Sequence, residues 1–89
     1  MLNNTGLEKY KNVDFDDAII YYTKAIELCD DFDVAYYNRG TVLYRLGLYE
    51  NAFSDLLKAF QLNPDNLDFL NAFNDCKKMI NDHTKLSFK

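Results

Sequence analysis

Shifted by 34 residues, the sequence falls into register with itself. Asn4 lands on Asn38, Gly6 on Gly40, Tyr10 on Tyr44, Ala18 on Ala52, Lys24 on Lys58, Ala25 on Ala59, Leu28 on Leu62 and Asp31 on Asp65. Lys11/Arg45, Phe15/Tyr49 and Asp16/Glu50 are conservative pairs in the same register. A period of this length marks an array of helical hairpins. The constraint is severe, because one hairpin cannot bury both of its faces. Each copy must stack on the next, and something must cover the last one.

The residues within each copy fit that architecture. Gly40 and Ala52 are small residues expected on facing helices, where they let two backbones approach. Ala52, Leu56 and Ala59 recur at i, i+4 and i+7 and form one apolar stripe. Gly47 follows Val42, Leu43 and Leu46 and can take the left-handed conformation that ends a helix. Pro64 lacks an N–H and disfavours helix at Asn63, so the next helix stops there. The first copy has Asn12-Val13-Asp14 at its turn, with Asn12 tolerant of the left-handed region and Asp14 able to cap the following helix.

The spacing predicts five helices, at 1–12, 16–29, 33–46, 50–62 and 67–82. In the last, Phe69, Phe73, Cys76 and Ile80 share one face. Asp68, Asn71, Asp75, Lys78 and Asp82 share the other, as suits a helix that closes a stack. Residues 83–89 are expected to be a fraying tail. The resulting fold class is all-α. Residues 1–82 form a single domain: a first repeat at 1–32, a second at 33–66 and a capping helix at 67–82.

Composition narrows the function. With 89 residues the chain is one small domain with a thin core. It is 48% hydrophobic, with seven Tyr and seven Phe, which is too apolar for a disordered segment. The net charge of −4 and the absence of a Lys/Arg cluster argue against a nucleic-acid partner. No apolar run approaches the roughly 20 residues of a membrane span, so no membrane partner is expected. The N-terminal residues carry neither the charged nor the apolar region of a signal peptide. The Asn3-Asn4-Thr5 triplet is then a chance glycosylation match, and the expected location is cytoplasmic.

No catalytic or cofactor site is expected either. Cys29 and Cys76 lie far apart and His83 is the single histidine, so no zinc ligand set is present. Asp14, Asp16 and Asp17 lack the glycine and distal glutamate of a calcium loop, and they suit a helix N-terminus instead. No glycine-rich phosphate loop or positioned nucleophile–base pair occurs. The chain is expected not to be an enzyme, and no metal or cofactor is expected.

On Tyr36, Gly40, Leu43, Gly47, Tyr49, Ala52, Leu56, Ala59 and Pro64, residues 33–66 resemble the tetratricopeptide repeat family. Residues 1–32 resemble it less closely, departing at Lys9, Val13 and Asp30. Arg39 stands where the family usually has Leu. Leu70 and Phe73 are in register for a third repeat, but Asn74 replaces the small residue a further helix would need. The resemblance implies an α-solenoid of two helix-turn-helix hairpins plus a C-terminal capping helix. It also implies a concave groove lined by the first helix of each repeat. By that register the groove holds Asn3, Leu7, Tyr10 and Lys11, then Tyr37, Asn38, Thr41, Tyr44 and Arg45. Asp68, Asn71, Ala72, Asp75 and Lys78 complete it.

The resemblance implies a protein-interaction module, and Tyr37, Thr41, Tyr44 and Arg45 share one helix face of residue types that interfaces favour. The expected partner-binding residues are Lys11, Tyr37, Asn38, Thr41, Tyr44 and Arg45. The expected partner is a peptide segment or helix, with Lys11 and Arg45 suiting an acidic one. The rival is a structural subunit that self-associates through its helical faces. One subset of the family clamps the C-terminal carboxylate of chaperones. Of its clamp positions only Asn38 is kept, while Asn3, Leu7, Asp68 and Ala72 occupy the others. The clamp's cations are lost and an anion, Asp68, is gained, so that activity is not expected.

Overall fold

The computed structural model describes residues 15–87, all of the secondary structure there being helical. The helices are α1 (Phe15–Leu28), α2 (Asp33–Arg45), α3 (Tyr49–Leu62) and α4 (Leu67–Ser87). They correspond to the second to fifth helices read from the sequence; the expected first, 1–12, lies outside the described residues. The last runs on to Ser87 rather than stopping at residue 82. Asn81–Ser87 contains no Gly or Pro, so nothing in the backbone chemistry ends the helix earlier. Consecutive helices pack on one another, most extensively α2 on α3, and α2 also touches α4.

Each turn has an identifiable cause. Gly47 adopts φ 83°, in the left-handed region. Its N–H donates to the Tyr44 carbonyl at 3.0 Å, and the Leu48 N–H donates to the Leu43 carbonyl at 2.9 Å. That pair of bonds is a Schellman motif, which satisfies carbonyls left open at the end of α2. After α3, the Asn66 N–H donates to the Asn63 carbonyl across Pro64-Asp65. The Asn66 side chain then caps α4 by accepting from the Phe69 N–H at 3.1 Å. The Asn63 amide donates to Asp33 at 3.2 Å, tying the start of α2 to the end of α3.

The core sits between α2, α3 and α4. Ala52 and Ala59 are fully buried, and Leu56 between them is 2% exposed. Cys76 joins Ala52 and Leu56 at the centre, with Leu43, Phe53, Phe73 and Ile80 packed around them. Phe73 of α4 stacks on Phe60 and leans on Phe53, both from α3. The apolar face read in the last helix is therefore the face that meets α3.

Gly40 sets the spacing of α2 on α3. A Cβ placed there would stand 2.8 Å from Leu56 Cγ, closer than such atoms pack, and a tight 3.1 Å from Asp55 Cβ. The residues nearest Gly40 are thus Leu56 and Asp55, one turn beyond the Ala52 suggested by the sequence. Beside this contact Arg39 forms a bidentate pair with Asp55, Nε to Oδ2 at 2.7 Å and Nη2 to Oδ1 at 2.8 Å. Its third nitrogen donates to the Thr23 hydroxyl of α1 at 3.1 Å. The guanidinium lies 5.8 Å from the centre of the Tyr36 ring. The Asp55 hydrogen bonds push the Arg39 pKa upward, so the cation persists at all relevant pH. One side chain therefore joins α1, α2 and α3.

Arg39→Leu leaves the Asp55 carboxylate buried without a counter-charge and should cost about 3 kcal/mol. Adding Asp55→Ala should recover part of that loss, because the orphaned charge goes with it. Equal denaturant midpoints for the single variant and wild type would contradict the role of the pair. Ala52→Leu should overpack the α2–α3 seam and cost ~1–3 kcal/mol, a lowering of the midpoint visible by circular dichroism.

Candidate functional site

α2 is amphipathic in two directions. Ala35, Gly40 and Val42 are buried against its neighbours. Tyr37, Thr41, Tyr44 and Arg45 lie along another face and line a pocket of about 260 Å³. Its floor is Leu56 of α3, and its opposite wall is Ala72 and Asp75 of α4. Four of the six residues expected to bind a partner are thus brought together. Asn38 is half-buried but does not line this pocket, being about 100° round the helix from Tyr37. Lys11 lies outside the described residues. The basic strip expected of Lys11 with Arg45 is therefore represented here by Arg45 alone, and Asp75 stands within the same pocket.

The pocket walls are held rigid. The Tyr37 ring packs on Phe69 with centroids 4.9 Å apart. Tyr44 meets Tyr49 edge to face at 5.3 Å. Burial is the main cause that raises the Tyr44 pKa, and the nearby Asp75 charge adds to it, so its hydroxyl stays protonated. Thr41 donates its hydroxyl proton back to the Tyr37 carbonyl at 2.8 Å, leaving it to act as an acceptor. Arg45 and Asp75 are exposed, and no ion pair among the described residues engages either of them. The apolar floor and aromatic walls favour an apolar group, and the charged rim offers one donor set and one acceptor set.

Leu56 was legible in the sequence only as a core residue; in the fold this buried side chain also lies at the base of the pocket, beside Ala72. Tyr37 also does more than line a wall, since its packing on Phe69 makes it part of the α2–α4 contact. Removing the ring should therefore be felt in stability.

A second pocket, of about 340 Å³, opens between α1, α2 and α3. Its polar lining is Asn51, Ser54 and the Arg39–Asp55 pair with Thr23, and Arg39 bonds both Asp55 and Thr23. Neither thiol is activated. Burial raises the Cys76 pKa, and its thiol donates to the Tyr49 carbonyl at 3.3 Å. Cys29 is exposed, and its hydrogen bond to Asp31 raises its pKa as well. A thiol held protonated is a poor nucleophile. Among the described residues no group of His, Cys, Asp and Glu is arranged to hold a metal, and no helix is long and apolar enough to cross a membrane.

Tyr37→Ala should lower stability by about 2 kcal/mol through loss of a half-buried ring and its aromatic neighbour, whereas Tyr37→Phe should be close to neutral. Chemical denaturation of both variants checks this. A destabilised Tyr37→Phe would mean that the hydroxyl, and not the ring, holds the α2–α4 contact.

Known proteins are similar to this chain in sequence and in fold. Residues 34–66 and residues 1–32 each match a family model described as tetratricopeptide repeat. Over 57 residues the chain is 44% identical to the Hsp70-Hsp90 organizing protein of Triticum aestivum, covering 63% of this chain and 10% of that protein. Over 62 residues it is 36% identical to the E3 ubiquitin-protein ligase TTC3 of Mus musculus, covering 70% of this chain and 3% of that one. The chain thus spans a tenth or less of these relatives. Among solved structures it is similar to the C-terminal TPR-containing domain of an FK506-binding protein from Plasmodium falciparum. That likeness has a TM-score of 0.76 at 31% identity and covers 86% of this chain and 51% of the other.

Proposed function

This chain belongs to the tetratricopeptide repeat family, and from that premise we propose that it is a non-catalytic module that binds a segment of a protein partner in its concave groove. The observation that carries the proposal is the pocket in which Tyr37, Thr41, Tyr44 and Arg45 face Ala72 and Asp75 over Leu56. Two braced tyrosines and an arginine over an apolar floor match the chemistry of interface hot spots. Unpaired cysteines, one exposed and one buried, also suit a reducing, intracellular setting. The exposed Asp68, Asn71, Lys78 and Asp82 support reading α4 as a helix that closes the stack.

A chaperone carboxylate clamp is not part of the proposal, despite the likeness to an Hsp70-Hsp90 organizing protein. Asp68 is exposed and Ala72 lines the pocket, where the clamp-bearing relatives of the family are expected to place cations. An acidic peptide ending in a free carboxylate should show no micromolar binding by calorimetry. Micromolar binding that disappears on amidating the peptide would overturn this point.

The direct test is to pan a random-peptide display library on the immobilised chain and on an Ala72→Trp variant, whose indole fills the pocket. Enriched peptides should bind wild type and lose about tenfold or more in affinity against the variant, ~1.4 kcal/mol, with the helical signal unchanged. Equal binding to both would place recognition elsewhere. The rival reading, self-association, draws on the exposed Ile20, Tyr21 and Leu28 of α1. A mass that rises with concentration in sedimentation runs would favour it.

A further inference from the structure

Resting on the groove reading, we propose that the pocket takes an extended partner segment with one apolar anchor side chain flanked by charges of opposite sign, a carboxylate reaching Arg45 and a cation reaching Asp75. Three observations lead there. The first is size. A pocket of about 260 Å³ is smaller than the roughly 300–1,000 Å³ of a site for a drug-sized ligand. It accepts one side chain, whereas a helix docking in a groove needs several anchors at i, i+3, i+4 and i+7.

The second is the lining. Leu56 and Ala72 offer no hydrogen bonds, and the Thr41 proton is committed to the Tyr37 carbonyl. The group that packs on Leu56 and Ala72 is therefore apolar, while the Tyr37 and Tyr44 hydroxyls and the Thr41 oxygen beside them can meet the backbone of the bound segment.

The third is charge. Arg45 and Asp75 line the same pocket, and each is exposed. No salt bridge among the described residues joins them to each other. An all-acidic segment would satisfy Arg45 and meet Asp75 with like charge; an all-basic one would do the reverse. A segment carrying both signs satisfies both, and two opposite contacts on either side of one anchor also fix its direction along the groove. This replaces the acidic segment expected from Lys11 and Arg45 with a zwitterionic one, because Asp75 shares the pocket.

The test uses the full chain and short fluorescent peptides with a central Leu. Their flanks are Glu/Lys in each order, Glu on both sides, Lys on both sides, or Ser on both sides. One Glu/Lys order should bind about tenfold more tightly than either single-sign peptide at low salt, and the advantage should shrink as salt rises. Asp75→Lys should transfer the preference to the Glu-flanked peptide, and Arg45→Glu to the Lys-flanked one. Both positions are exposed, so circular dichroism should show the fold retained. If peptides bind but neither reversal changes the ranking, the charge assignment is wrong and the groove reading stands. If none of the peptides binds at millimolar concentration, or if the Ala72→Trp variant binds them equally, the groove reading itself fails.

Discussion

Everything in this fold depends on how closely α2 lies against α3, and that distance is set where Gly40 meets Leu56 and Asp55. No side chain can be added at Gly40 without displacing a Leu that is itself 2% exposed. With the backbones this close, Asp55 comes within reach of Arg39 on the adjacent position of α2, and the guanidinium extends to Thr23 on α1. A buried ion pair contributes little net stability compared with apolar residues of the same shape. Its value here is geometric, because a planar fork bonded to two helices fixes their rotation as well as their separation.

That rotation decides which residues of α2 remain for function. One face is committed to α3, with Gly40 and Val42, and Arg39 bridges towards α1. The remaining arc carries Tyr37, Thr41, Tyr44 and Arg45, and α4 completes the groove because Phe69, Phe73 and Cys76 dock it on the rest of the stack. Leu56 lies at its base, beside Ala72. A surface for recognition is thus produced by the same contacts that close the core, with no loop inserted for the purpose.

Much of this was legible in the sequence because a repeat exposes its own constraints. Gly47 and Asn63-Pro64 announce the helix ends through backbone chemistry alone, and the Ala52–Leu56–Ala59 stripe announces the buried face of α3. Arg39 was legible only as a departure from an apolar position. Its partner Asp55 lies 16 residues away, a distance no local periodicity encodes. The Tyr37–Phe69 contact is hidden for the same reason, since it joins two repeats. The pocket's charge balance also needed the fold, because Asp75 reads as one of several acidic residues on a wet helix face until α4 is laid beside α2.

Recognition is proposed over the α2–α4 groove and not on the α1 side of the stack. Methyl NMR of the full chain, titrated with a peptide selected for binding, tests it most directly. The methyl signals of Thr41, Leu56 and Ala72 should move together and saturate with one affinity, while those of Ile19, Ile20 and Thr23 stay in place. Shifts confined to Ile19, Ile20 and Thr23, with Ala72 and Leu56 silent, would contradict it.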